Sequence, residues 1–210
     1  MYKNLVTIGN SMTNMYYEEN PESKHDLHTL QVRLLEQPLC FKTDAGVFSK
    51  KMIDYGSQVL LHTLDFSKGS TVLDVGCGYG PMGIALAKAY QVKATLVDIN
   101  NRALALAKEN ARANHVDVTI FQSNIYDSVE GSFQHIISNP PIRAGKQVVH
   151  AIIEDSLKYL EDQGDLTIVI QKKQGAPSAK EKMQSVFGNV TTLKKDKGYY
   201  ILRSIKTAKS

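Results

Sequence analysis

The chain reads as an α/β fold: a seven-stranded, mostly parallel sheet with helices on both faces and an antiparallel hairpin strand at its C-terminus. Three observations predict it. Short apolar runs alternate with longer stretches of helical period between residues 71 and 187. A glycine cluster stands where the first of those runs hands over to a helix. Two strand-like runs close the chain, separated only by Lys195-Asp196-Lys197-Gly198, a link that suits a hairpin and leaves no room for a crossover helix.

Residues 1–45 form a polar N-terminal extension in which 28–35 alternate like a strand, and Gln37-Pro38 followed by Phe41 suggests the second arm of a hairpin. From Ser49, a plausible N-cap, apolar residues recur at helical spacing as far as residue 64. Strands follow at 71–75, 93–97, 118–122, 133–137 and 165–170, alternating with helices at 81–90, 102–114, 147–160 and 179–187. The hairpin strands are 190–194 and 199–205. No repeat or linker divides the chain, so all 210 residues read as one domain, and 42% hydrophobic against 22% charged residues excludes a disordered or fibrous protein. No apolar run approaches the roughly 20 residues that span a membrane. Cys40 and Cys77, with no basic-then-apolar leader, fit the reducing cytoplasm of a soluble monomer or small homo-oligomer. The six histidines show no metal-ligand spacing and two cysteines make no zinc site, so no metal is expected.

Candidate chemistry begins at Val72-Leu73-Asp74-Val75-Gly76-Cys77-Gly78-Tyr79-Gly80, followed by Pro81 in a helix's first turn. Glycines at the carboxyl end of a parallel strand let backbone approach a ligand closely. Gly78-Tyr79-Gly80-Pro81-Met82-Gly83 also satisfies G-x-G-x-x-G, and Asp98 lies 20 residues beyond Gly78, so a dinucleotide oxidoreductase stays open on this motif. Two details lean the other way: Asp74, inside the strand, suits a cationic amino-acid group better than a pyrophosphate, and the dinucleotide-like glycines begin late for a tight phosphate turn. These residues resemble the class I S-adenosylmethionine-dependent methyltransferases, a Rossmann-like family whose first motif is an acidic strand followed by G-x-G-x-G. The resemblance implies cofactor contacts at Asp74, Gly76, Cys77 and Gly78, ribose binding by Asp98 with Ile99 beside it, and adenine contacts at Ser123 and Asn124, where the family commonly has Asp at the latter.

The fourth strand ends in Ser138-Asn139-Pro140-Pro141-Ile142-Arg143. Two prolines stiffen the chain and fix Asn139 and the Pro140 carbonyl at the binding edge. Asn-Pro-Pro resembles the motif of methyltransferases that act on a planar nitrogen: nucleobase amines in RNA and DNA, and a glutamine amide in release factors. The chemistry suits those residues, since two acceptors on one amine draw its N–H groups out of plane and free the lone pair that the ring otherwise delocalises. Asn139, Pro140 and Pro141 are therefore the catalytic candidates, with Asn139 also beside the cofactor, and Ile142, Arg143 and Lys146 the substrate-binding ones.

Gly46-Val47-Phe48-Ser49, then Asp54, Gly56 and Leu60-Leu61, together with Asn139 to Lys146 and Ile170-Gln171-Lys172-Lys173-Gln174-Gly175-Ala176, resemble the small-subunit ribosomal RNA guanine-N2 methyltransferase family. The resemblance implies that Phe48 and Ser49 line the cofactor site and that the substrate is ribosomal RNA, free or in a subunit. Larger members carry an extra N-terminal domain that this chain is expected to lack. Many Asn-Pro-Pro enzymes follow the prolines with an aromatic ring that stacks on the base; Ile142 stands here, which turns attention to Phe48, Tyr79 or Tyr126. Alternatives from other classes are another base amine or a protein glutamine, a cofactor-binding module without catalysis, and the oxidoreductase.

Charge divides unevenly. Residues 1–141 hold 12 Lys+Arg and 14 Asp+Glu, whereas residues 142–210 hold 13 and 7, so the net +4 hides a balance of −2 before the Asn-Pro-Pro loop and +6 after it. Arg143, Lys146, Lys172 and Lys173 fall at strand ends on the binding edge, where they suit an RNA backbone. Lys194, Lys195 and Lys197 read as a solvated lysine face.

Overall fold

The structure is a computed structural model that describes residues 19, 24–45, 47 and 51–207. Strands β1 (His28–Leu34) and β2 (Gln37–Thr43) form the expected hairpin, closed by Leu35 and Glu36, both at positive φ as a two-residue turn of this hand requires. The ribbon docks on helix α3 (Asn101–Ala113) through two asparagines that replace a missing neighbour strand. Asn110 Oδ1 accepts from the Lys42 N–H at 2.7 Å, and Asn114 Oδ1 from the Cys40 N–H at 2.9 Å. Their amides donate back to the carbonyls of the same two residues. The outer edge of β2 thereby keeps its backbone groups satisfied.

Helix α1 (Tyr55–Leu61) starts later than its sequence period suggests, because Asp54 caps it: Asp54 Oδ2 accepts from the Ser57 N–H at 3.0 Å. Ser49, the expected cap, lies outside the described residues. Beyond it the chain alternates as β3 (Thr71–Val75), α2 (Pro81–Tyr90), β4 (Lys93–Asp98), α3, β5 (Thr119–Gln122), β6 (Phe133–Ser138), α4 (Lys146–Tyr159), β7 (Leu160–Gln171) and α5 (Ala176–Phe187). Strands β8 (Thr191–Asp196) and β9 (Tyr199–Ile205) end it. The sheet order is β5-β4-β3-β6-β7-β9-β8, with β9 alone running against the direction of the other six strands. The closing turn is two residues, Lys197 and Gly198, both at positive φ, so β8 runs to Asp196 instead of stopping at residue 194. Strand β7 likewise begins at Leu160, five positions before the expected residue 165, directly after α4.

The pleat sorts the strands' apolar residues into two layers. Val72, Leu96, Ile137, Val169 and Ile201 pack with α1, α2 and α3, and the β1–β2 ribbon extends that layer. Leu73, Val97, Ile136, Leu166, Ile168 and Leu202 pack with α4 and α5. Gly83 brings α2 close to the sheet: a Cβ there would lie 2.6 Å from Leu96 Cδ1. The same pleat puts Asp74 on the α2 side of β3, under the glycine loop.

Candidate active site at the carboxyl edge of the sheet

A cavity of about 340 Å³ opens where β3, β4, β6 and β7 end, a size that suits a small-molecule site. One lobe is built by the glycine loop. The Gly76 and Cys77 N–H groups donate to the Val97 carbonyl at 2.9 and 3.0 Å, which folds the loop across the end of β4. Gly76 and Gly78 have φ of +73° and +57°, a region that favours glycine. A Cβ on Gly78 would meet nothing within 4 Å and one on Gly76 only Pro141 Cδ at 3.9 Å, so the loop faces open space in which a ligand's atoms fit. Asp98 clamps it, Oδ2 accepting from the Gly78 N–H at 2.8 Å and Oδ1 from the Asn100 N–H at 2.9 Å. Burial raises the Asp98 pKa, and the backbone N–H groups of Asn100, Gly78 and Ile99 oppose that rise. Ile99, Ser123 and Ile125 continue this wall.

Asp74 does not line the cavity. Its Oδ2 accepts from the Gly83 N–H at 3.0 Å, tying the strand to the first turn of α2, while among the described residues the buried Oδ1 has no partner. Burial pushes its pKa up to about 7 against the pull of that N–H, with Asp98 adding to the rise. Cys77 lines the cavity as a small side chain; burial and the nearby Asp98 and Asp74 push its thiol well above the usual range, which removes it as a nucleophile at neutral pH.

The second lobe centres on Asn139. Strand β6 delivers it, and Ser138 Oγ donates to the Val75 carbonyl at 2.7 Å, fixing the strand's end against β3. Asn139 Nδ2 donates to Asp54 Oδ2 at 2.8 Å and to Ser57 Oγ at 3.0 Å. A carboxylate only accepts, so the amide must present its NH2 to Asp54 and keep Oδ1 on the other side. Among the described residues no donor occupies Asn139 Oδ1 or the Pro140 carbonyl, whereas the Pro141 carbonyl accepts from the Ala144 N–H at 2.8 Å. Among the described residues two acceptors on adjacent positions of a stiff Asn-Pro-Pro segment thus remain free. Val169, Ile170 and Gln171 from β7, Gln174, Tyr199 from β9, and Ile142 and Arg143 complete the walls. Gly56 makes room for Tyr199: a Cβ there would fall 2.7 Å from Tyr199 Cε1.

Of the expected site residues, the cavity gathers Gly76, Cys77, Gly78, Asp98, Ile99, Ser123, Asn139, Pro140, Pro141, Ile142 and Arg143. Three fall outside it. Asp74 lies beneath the loop, Asn124 turns its amide to Asp127 Oδ2 at 3.2 Å, and Lys146 is exposed in the first turn of α4. Phe48 and Ser49 lie outside the described residues. Of the aromatic candidates Tyr79 lines the cavity although nearly all of it is buried, its ring edge-on to Phe41. Tyr126 is buried against Tyr159 and spends its hydroxyl on the Ile152 carbonyl at 2.8 Å, so it is no stacking platform. Sequence reasoning missed Asp54, Ser57, Gln171, Gln174 and Tyr199 as site residues; Asp54, Gln171 and Gln174 lie in segments that carry the family resemblance, and the Asp-x-x-Ser spacing at 54–57 marks a cap, but Tyr199 carried no signal. Among the described residues no group of three or more His, Cys, Asp or Glu is placed to hold a metal, and no helix is long and apolar enough to cross a membrane.

Known proteins resemble this chain in sequence and in overall fold. The uncharacterized protein YbxB of Bacillus subtilis is 45% identical over 200 residues, covering 93% of this chain and all of that protein. The ribosomal RNA small subunit methyltransferase C of Erwinia tasmaniensis is 35% identical over 174 residues, covering 80% of this chain and 50% of its own length. The chain therefore spans about half of that relative. A T. thermophilus 16S rRNA N2 methyltransferase (RsmC), solved in complex with AdoMet and guanosine, superposes with a TM-score of 0.80 at 23% identity, over 89% of this chain and 52% of that one. Residues 38–203 match the model of the methyltransferase small domain, and with that match the chain belongs to the methyltransferase small domain family.

Proposed function

We propose that residues 1–210 act as one methyltransferase domain that uses S-adenosylmethionine to methylate the N2 amine of guanine in ribosomal RNA. The observation that carries this reading is the pair of free acceptors at Asn139 Oδ1 and the Pro140 carbonyl, with the amide held in one orientation by Asp54 and Ser57.

The loop lobe fits the cofactor. Gly76 and Gly78 leave open space for its close approach, and Asp98 stands at the strand end where vicinal ribose hydroxyls donate to a carboxylate. The orphaned Asp74 Oδ1 beneath the loop favours the cationic amino-acid end, acting across the loop. Ser123 and Ile125 flank the place for the adenine. When bound, S-adenosylmethionine would supply a sulfonium methyl group for transfer to the amine, with the amine's proton passing to solvent.

This chain's own residues orient the amine. Asn139 Oδ1 and the Pro140 carbonyl accept its two N–H groups and turn its lone pair toward the methyl. Asp54 acts through Asn139 as a positioning residue, and Tyr199, which lines the cavity, is the aromatic residue at hand for stacking where Ile142 has no ring. The contribution is one of orientation, with no side chain asked to act as a strong base.

The test is transfer of labelled methyl groups to ribosomal subunits, free ribosomal RNA, DNA and release factor in parallel, alongside calorimetric titration with S-adenosylhomocysteine and NAD. Label in ribosomal RNA and binding of S-adenosylhomocysteine are expected. Binding of NAD alone restores the oxidoreductase, and label confined to release factor or DNA moves the substrate away from RNA.

A further inference from the structure

The antiparallel course of β9 carries charge to the active site. Because β9 runs opposite to β7, with Tyr199 paired to Gln171, its first residue and the turn before it stand at the carboxyl edge, beside the cavity. Lys197 and Gly198 form that turn, and the Gly198 carbonyl accepts from the Lys172 N–H at 2.8 Å. This bond ties the hairpin to the 3-10 turn that follows β7 (Lys172–Gln174). Lys172, Lys173 and Lys197 are thus gathered from two elements onto one rim, and Lys195 stands two residues back along β8, over Tyr200 on the other face of the sheet. All four are exposed, and among the described residues none forms an ion pair. The hairpin itself carries a single carboxylate, Asp196.

Tyrosines hold two of these four ammonium groups in place. Lys197 Nζ lies 4.6 Å from the centre of the Tyr55 ring, and that ring lies 5.8 Å from Tyr199, which lines the cavity. Lys195 Nζ lies 4.8 Å from the Tyr200 ring. A solvated lysine face, the reading that sequence alone favours for 194–197, does not require three lysines from two segments at one edge of the sheet, nor a backbone bond joining the segments. Unpaired ammonium groups interleaved with aromatic rings next to a base site are the composition that binds a single-stranded nucleic-acid backbone.

We propose that the Lys197–Gly198 turn and the Lys172–Lys173 turn form a phosphate-docking rim that holds the RNA backbone while the target base occupies the Asn139 lobe. The proposal rests on the reading of the active site as an RNA methyltransferase. Each phosphate engaged by a single strand adds about 0.7 to the slope of log affinity against log salt.

The experiment compares Lys195→Gln/Lys197→Gln and Lys172→Gln/Lys173→Gln with Lys68→Gln/Lys93→Gln, an equal loss of charge from two exposed lysines at the opposite, amino edge of the sheet. Binding of a ribosomal RNA fragment is measured across a salt series, and S-adenosylhomocysteine binding reports the fold. Each rim pair is expected to lower the salt slope by about 1.4 and to weaken RNA binding roughly tenfold at physiological salt, with S-adenosylhomocysteine affinity unchanged. The amino-edge pair is expected to behave as wild type. Rim variants that match wild type, or that lose no more than the amino-edge pair, overturn the rim even if wild-type protein methylates RNA; that is also the outcome if the lysines serve an acidic protein partner. Wild-type protein that transfers no methyl to RNA fails the functional reading itself, and the rim with it.

Discussion

The two lobes of the cavity differ in how the chain assembles them. Gly76, Cys77, Gly78, Asp98 and Ile99 come from two successive strand ends, and the clamp between Gly78 and Asp98 spans a single β-α-β unit. Asp54, Asn139, Gln171 and Tyr199 come from four separate segments that meet only after the sheet has formed. The difference teaches that a cofactor site can be written locally, in one turn and its neighbour, while a substrate site depends on sheet order. In this molecule the order places β6 between β3 and β7, which brings Asn139 to the middle of the edge, and it places β9 beside β7, which brings Tyr199 to its flank.

If the lobes have separate jobs, damage to one must spare the other. Asn139→Ala is the largest expected effect: turnover falls by about two to three orders of magnitude, as when a transition-state hydrogen-bond partner is lost, with S-adenosylhomocysteine affinity within about twofold of wild type. Single-turnover kinetics with parallel calorimetry reads both, and full turnover in this variant breaks the amine geometry. Asp98→Ala is its mirror image. Loss of charge-assisted hydrogen bonds raises the dissociation constant for S-adenosylhomocysteine about 10- to 100-fold and leaves RNA affinity in place.

Asp54 refines the contrast because its carboxylate both caps α1 and holds the Asn139 amide. Asp54→Asn retains an N-cap acceptor, so thermal stability stays near wild type. It also offers Asn139 a partner that both donates and accepts, which lets the Asn139 amide adopt either orientation. Turnover is expected to fall about tenfold, with KM for RNA and cofactor affinity little changed; a purely structural role would instead lower stability and leave turnover per folded molecule intact.

The smallest expected effect is on stability. The Asp74 carboxyl titrates at about 7 in the folded chain and near 3.8 when unfolded. The folded state therefore holds the proton more tightly, and the associated stability is present in full below about pH 4 and lost as pH rises through about 7. Urea midpoints of the cofactor-free protein between pH 5 and 8 are expected to fall more in wild type than in Asp74→Asn, whose neutral amide oxygen still accepts from Gly83. Equal slopes in the two proteins contradict a raised Asp74 pKa.

Sequence showed most of the fold and half of the site, for reasons visible in particular residues. The β-α alternation was legible because parallel strands buried on both faces are short, apolar and bounded by helical stretches. The start of α1 was not, since apolar spacing before Asp54 mimics a helix while the cap decides where it begins. Gly76, Gly78, Asp98 and Asn139 were legible because strand ends and a stiff Pro-Pro pair mark them locally. Gln171, Gln174 and Tyr199 carry no such mark; their place follows from the pairing of β9 with β7, an inter-strand register that periodicity does not encode. Asp74 shows the converse. Its motif position was plain, but the pleat turns its carboxylate toward Gly83 beneath the loop, away from the cavity.

The most direct measurement of the central claim is nucleoside analysis of ribosomal RNA after incubation with S-adenosylmethionine and either wild-type or Asn139→Ala protein. N2-methylguanosine is expected as the new modified nucleoside with wild type, and its loss with Asn139→Ala. A different methylated nucleoside, or equal N2-methylguanosine from the variant, would contradict it.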